Sequence, residues 1–301
     1  MLNAKFLTDK RKTAIAKHVF CYTLLIVPII HFCIFWLAVN INSFILPFQD
    51  EITGQFTLDN FKYIFALFEK GGELVLALKN TILYYIQHMI TAFVIAPLFA
   101  YFMFKQILGY KIYNLIFMIP MMVSSIVMIN IYKAMVGADG PISLFYEALT
   151  GEVMPFLLYE DATATGTIIA YCIWTGFGMN LILFSGAMAK IDPAIIESAQ
   201  LEGVTFMKEF FLIELPMIWP TLSITLLLSV NTIFSSSGPI LYFTNGMYKT
   251  YTINYWFYAN VIVLGNYQKA SALGLCLSFA GAPLAVIVAI LRKKIQTDVS
   301  Y

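Results

Sequence analysis

Charge is what this sequence has least of. Lys, Arg, Asp and Glu make up 12% of the 301 residues, and their near balance leaves a net charge of +1. That balance by itself says nothing about nucleic acid, and no nucleic-acid partner is expected. Cysteine is sparse too. Cys21, Cys33, Cys172 and Cys276 all fall in apolar runs, with no metal-ligand spacing and no outside pair to oxidise, and they read as small hydrophobes. His18, His31 and His88 are scattered, which suits packing better than metal ligation. The sequence holds no G-x-x-x-x-G-K-S/T run to cradle ATP and no H-E-x-x-H or G-x-S-x-G run to support hydrolytic chemistry, so no catalytic, metal or cofactor site is expected. No Asp or Glu lies well inside an apolar run, which leaves an ion-driven carrier without an obvious relay.

What is abundant is hydrocarbon. With 60% hydrophobic residues and a mean hydropathy of +0.80, the chain reads as an all-α integral membrane protein. Apolar runs at 19–40, 81–104, 113–137, 166–189, 217–240 and 270–291 are each long enough to cross roughly 30 Å of hydrocarbon. Six transmembrane helices are expected. Pro28, Pro97, Pro120, Pro220 and Pro283 fall inside them and should kink them. The first run is too long for a leader core and lacks a small-residue cleavage site, so it reads as an uncleaved span after an N-terminal segment, residues 1–18.

Basic residues set the orientation. With the N-terminus inside, Lys5, Lys10, Arg11, Lys12, Lys17, Lys105, Lys111, Lys190, Lys208, Arg292, Lys293 and Lys294 are cytoplasmic, against Lys62, Lys70, Lys79, Lys249 and Lys269 outside; Lys133 lies in the third run. Both termini are expected in the cytoplasm. Long outside loops at 41–80, 138–165 and 241–269 invite a function. In the first, Thr57 can cap a short helix ending near Gly71, with Phe61, Ile64, Phe65 and Phe68 on one face. That face suits the bilayer interface or the bundle, with a docking surface for a partner as the other reading.

The most polar stretch between two spans is residues 190–216. Asp192 is a good N-cap, Pro193 suits the first helical position and Gly203 supplies a left-handed stop, so a helix is expected over 193–202. Thr205 can cap a second helix carrying Phe206, Phe210, Phe211 and Ile213, with Pro216 marking its end. Glu197, Ser198 and Ala199, then Gly203 after three residues, then Ile213, Leu215 and Pro216 after nine more, resemble the EAA motif of the permease subunits of bacterial ATP-binding-cassette importers. Ser198 stands where that family usually has Ala, and Glu202 where many members have Asp. FTLDNF at Phe56 to Phe61, LKNT at Leu78 to Thr81, the pair Trp174 and Gly176, IDP at Ile191 to Pro193 and GPI at Gly238 to Ile240 extend the resemblance to the sugar-type, first-permease branch.

The resemblance implies a non-catalytic permease domain over 19–301 in a bacterial plasma membrane, with a cytoplasmic coupling helix between the fourth and fifth spans. Its implied partners are membrane lipid, a second homologous permease, two cytoplasmic ATPase subunits that carry ATP and Mg, and an extracytoplasmic substrate-binding protein. Glu197 would meet a basic residue on the ATPase.

A solute path needs polar groups at membrane depth. Ser124, Ser125 and Asn130, then Asn180, then Asn231, Ser235, Ser236 and Ser237 supply neutral ones, suited to an uncharged hydroxylated solute; helix-to-helix hydrogen bonds explain any single one equally well. Tyr251, Tyr255, Trp256 and Tyr258 could stack on sugar rings or form an interfacial aromatic belt. Ala270, Gly274, Ser278 and Ala282, flanked by Gly281, Ala285 and Ala289, and Ser185 and Ala189 with Gly178 and Gly186, are small residues suited to close helix packing. An ion-coupled carrier or channel for a small polar solute is the rival reading, a membrane scaffold a third. Neither accounts for the capped insert. The choice among a sugar, an oligosaccharide, a polyol, a sugar phosphate and a modified glycan stays open.

Overall fold

The computed structural model describes residues 17, 19–69 and 72–296, with side chains as far as Lys293. The 1–18 segment with Lys5, Lys10, Arg11, Lys12 and His18, the helix end near Gly71, Lys70, and the side chain of Lys294 therefore lie outside the described residues, Lys17 excepted. Among the described residues no β-strand forms beyond an isolated bridge between Gln49 and Phe56.

In chain order the main helices are α1 (Val19–Phe48), α2 (Asp59–Glu69), α3 (Glu73–Phe104), α4 (Tyr110–Met122), α5 (Ser125–Val136), α6 (Pro141–Thr150), α7 (Ala164–Met188), α8 (Pro193–Leu201), α9 (Phe206–Met217), α10 (Trp219–Val230), α11 (Ile253–Tyr258) and α12 (Tyr267–Gln296). Among the described residues only α1, α3, α7 and α12 are long and apolar enough to cross a membrane unaided. The count reaches six when two bent pairs are each taken as one span: α4 with the helices after it, bent by 112°, and α9 with α10, bent by 70°. The expected 113–137 run is thus broken. Val123 and Ser124 take extended backbone angles, ψ 146° and 135°, three and four residues beyond Pro120.

Two prolines lie just beyond widened helical turns, for one physical reason. A proline inside a helix clashes with the carbonyl four residues back and donates no hydrogen bond. A widened, π-type turn ahead of it relieves both problems. Thr91–Ile95 forms such a turn before Pro97, and Phe210–Glu214 forms one before Pro216. Pro216 therefore does not end its helix. The helix runs on to Met217, and the bend comes at Ile218 (ψ 3°), where the sequence places the start of the fifth span.

The chain divides into two compact units. In the unit made of the residues up to Ile64 together with Asn266–Leu275, Asn60 is buried and its Nδ2 donates to Pro47 O (3.0 Å) and Gln49 O (2.9 Å), closing the loop between α1 and α2. Thr57 Oγ1 accepts from Asp59 N at 3.1 Å, the expected cap. Phe48 packs on Phe56 and Phe61 with centroids 5.9 and 5.2 Å away. The unit of Phe65–Gly265 with Cys276 onward holds two buried clusters. One joins α3, α7, α8, α9 and α10 through Ala100, Tyr101, Leu181, Phe184, Met188, Ile196, Phe210 and Leu222. The other gathers Tyr84, Ile129, Tyr132, Ile168, Tyr171, Ile240 and Phe243. Because hydrocarbon gives helices no hydrophobic reason to associate, close backbone approach has to hold them. Gly178 provides it, since a Cβ there would lie 2.8 Å from Phe117 O. Along α12 the small-residue stripe grades from buried Ala270 through half-buried Gly274 to exposed Ser278 and Ala282.

Candidate functional site

The insert is built by local rules that the sequence carries openly. Asp192 Oδ1 accepts from Ala194 N at 3.0 Å and Pro193 opens α8. At the other end Gly203 takes φ +78°, Gly203 N donates to Gln200 O (3.0 Å) and Val204 N to Ala199 O (3.1 Å), so the last carbonyls of α8 are satisfied by a tight left-handed stop. Ile196 and Ala199 face inward and are buried, whereas Glu197 and Ser198 are exposed and Leu201 is 90% exposed. Ser198 turns its hydroxyl onto Ile195 O at 2.9 Å, so its replacement of Ala disturbs no packing.

After the stop, Thr205 has the extended backbone of a cap residue, but its hydroxyl makes no cap hydrogen bond. Tertiary contacts hold α9 instead. Phe206 lies on Tyr101 and Phe102 (4.5 and 5.5 Å), Phe210 lies on Tyr101 (5.1 Å), and the Tyr101 hydroxyl donates to Phe206 O at 2.9 Å. Lys105, just beyond the end of α3, pairs closely with Glu209 and stands 3.7 Å from Glu214. Both carboxylates are buried, and burial pushes the Glu214 carboxyl up to about 7, with Lys105 opposing and Glu209 adding to the rise. Ile213 and Leu215 are half-buried and Pro216 is exposed.

The sequence reading did not single out Lys105, Glu209 or Glu214. Residues five apart diverge by about 140° on an ordinary α-helix. The widened turn at Phe210–Glu214 is what lets the two carboxylates share one lysine.

A second feature is a cavity of about 570 Å³ among α3, α5, α7 and the segment after α10. Ser235 and Ser236, put forward in the sequence reading for a solute path, line it, with Ser125 and Ser237. Ser124, Asn130, Asn180, Asn231 and Tyr255 do not. Asn231 Nδ2 donates back to Leu227 O at 3.0 Å, and the Tyr255 hydroxyl braces a turn by donating to Asn245 O at 2.7 Å. Trp256 is a core residue at 1% exposure. The lining also holds Gln87, Thr91, Thr175 and Thr232, which the sequence reading passed over, His88, which it assigned to packing, and Tyr84, whose buried hydroxyl has no hydrogen-bond partner. Gly238 sits in this wall because a Cβ would come 2.6 Å from Ile168 Cγ2.

One short sequence match outside the insert, LKNT, proves to be a structural joint. Asn80 of LKNT donates to Lys249 O (2.7 Å) and Tyr251 O (2.8 Å), and Thr81 Oγ1 accepts from Ile253 N (3.0 Å), clipping the 249–253 segment to α3. The turn before it holds Asn245, Tyr248 and Lys249 at φ of 51–56°, with the Thr244 and Thr250 hydroxyls 2.6 Å apart.

No protein-family model matches the chain. By sequence it is 26% identical over 193 residues to the probable ABC transporter permease protein YesP of Bacillus subtilis, covering 63% of this chain and 60% of that protein. It is 22% identical over 288 residues to the multiple sugar-binding transport system permease protein MsmF of Streptococcus mutans, covering 91% and 96%. Against the maltose/maltodextrin transport system permease protein MalF of Shigella flexneri the identity is 27% over 139 residues, 46% of this chain and 27% of that one. The match thus spans less than two thirds of YesP and about a quarter of MalF.

Among solved structures, a bacterial ABC transporter involved in the import of the acidic polysaccharide alginate superposes with a TM-score of 0.79 at 21% identity, over 94% of this chain and 98% of that one. A bacterial alginate ABC transporter in complex with alginate pentasaccharide-bound periplasmic protein gives 0.77 at 20%, over 95% and 97%. The fold is therefore similar to that of a chain of a bacterial ABC importer, and the sequence relatives are transporter permease proteins, MsmF and MalF among them from sugar transport systems.

Proposed function

We propose that the chain is the membrane-spanning subunit of an ATP-driven carbohydrate importer of the inner membrane. In this reading it forms the translocation path with a second permease and receives its cargo from an extracytoplasmic binding protein. Residues 190–216 couple it to two ATPase subunits, and both termini are cytoplasmic. ATP and Mg belong to the ATPase chains. The observation that carries the reading is the build of the insert. A helix capped at both ends buries Ile196 and Ala199 against the bundle while presenting Glu197 and Leu201 outward. A stiff peg with a free face is what a rigid-body stroke requires. Glu197 suits a basic groove and Leu201 an apolar one. Through Tyr101, Phe206 and Lys105, displacement of the insert is passed to α3, which carries Tyr84, Gln87 and Thr91 into the cavity.

The cavity speaks to the cargo. Its lining holds hydroxyls, an amide and one imidazole, and no Lys, Arg, Asp or Glu. That chemistry favours a neutral hydroxylated solute. Reconstitution in proteoliposomes with both permeases, the ATPases and the binding protein tests the reading. ATP-dependent uptake is expected, and Glu197→Lys should lower ATPase attachment or the uptake per ATP hydrolysed. Uptake by the chain alone under an ion gradient would overturn the proposal in favour of the secondary carrier.

A further inference from the structure

A moving insert needs a joint to the spans, and Lys105 occupies the place of one. It lies at the C-cap of the last α-helical segment of α3, and its ammonium reaches 104 residues along the sequence to pair with Glu209 while standing 3.7 Å from Glu214. Glu209 is 3% exposed and Glu214 is 0% exposed. Neither Glu214 oxygen has a hydrogen-bond partner. With both carboxylates ionised, one ammonium would face two of them, and the surplus negative charge would sit where water does not reach. A buried carboxyl in that position takes up a proton. The charged and titratable groups facing Glu214 are Lys105 and Tyr101 from the α3 side and Glu209 from its own helix. Tyr101 is committed, since its hydroxyl donates to Phe206 O at 2.9 Å.

We propose that Lys105 is the positioning residue through which α9 grips α3, and that Glu214 sits in this joint as a neutral carboxylic acid that must give up its proton when the joint opens. This rests on the importer reading of the insert. The proton passes from the Glu214 carboxyl to the water that enters as α9 parts from α3, and no other bond changes. The joint is then a ratchet. Closed, it is a single Lys105–Glu209 ion pair beside a neutral acid; open, it leaves a third charge that resists re-entry until it is protonated again.

The test has two arms. In the first, the full chain in nanodiscs at neutral pH is examined by infrared spectroscopy. A carboxylic C=O band from a water-excluded acid is expected in the wild type, lost in E214Q and retained in E209Q; a band that survives in E214Q overturns the proposal. In the second, the assembled importer is assayed for ATP hydrolysis and uptake across pH. K105M should lose uptake per ATP hydrolysed and K105R should restore it, while E214Q should retain uptake and lose the pH dependence of turnover. Identical pH profiles for wild type and E214Q overturn the opening step. Failure of the wild-type assembly to use ATP would sink the importer reading instead, and the infrared arm would still decide the state of Glu214.

Discussion

Asn80 offers the sharpest test of how the 249–253 segment is held. Its side chain spends both amide protons on backbone carbonyls of a segment about 170 residues away, Lys249 O at 2.7 Å and Tyr251 O at 2.8 Å, from a position only 4% exposed. A net hydrogen bond of this kind contributes about 1 kcal/mol, so Asn80→Ala should weaken the clip by about 2 kcal/mol. Local opening of the 249–253 segment then becomes about 30-fold more frequent, because each 1.4 kcal/mol is a factor of ten. Asn80→Asp keeps the shape and should do worse, since it points acceptor oxygens at two carbonyls in a buried place. Amide hydrogen exchange at Ile253, whose N–H is held by Thr81 Oγ1, reads this opening in nanodiscs. Unchanged exchange in Asn80→Asp would refute the assignment of the clip.

Other expectations follow from single contacts. Gly203→Ala puts a Cβ on a backbone at φ +78° and should cost the insert about 1–2 kcal/mol, with Gly203→Asn milder, read as faster exchange at Val204. Ser236→Cys should react with a water-soluble thiol reagent and Ile168→Cys, buried behind the cavity at 0% exposure, should not; equal labelling would deny that the cavity is wetted. The raised Glu214 pKa makes the folded chain bind a proton that the unfolded chain has released, so stability should fall as pH rises from about 4.5 to about 7 and level off beyond. Thermal unfolding in detergent should show that decline in the wild type and a flatter profile in E214Q.

What the sequence made legible is what local chemistry decides. The caps of α8, the left-handed glycine and the Thr57 cap each depend on neighbours a few residues away, and the structure has them in place. The apolar runs announced the helices, but not that Val123 and Ser124 would split one of them, since an extended pair leaves composition unchanged. The Lys105 joint was hidden because its members are far apart in sequence and meet only through a widened turn. In the cavity, serines at the end of a span were visible as polar groups out of place. Asn130 and Asn180 looked the same in sequence and lie elsewhere, because which side of a helix faces the cavity is set by tertiary packing.

The widened turn at Thr91–Ile95 holds one residue more than an ordinary helical turn. Deleting any single residue there would close it into regular α-helix and set Pro97 back into the hydrogen-bond ladder, where it lacks a donor and clashes with the carbonyl four residues back. Tyr84, Gln87 and His88, on the same helix about one to two turns earlier, border the hollow, so strain at Pro97 would reach its wall. Length, as much as identity, is therefore fixed at this point of the chain.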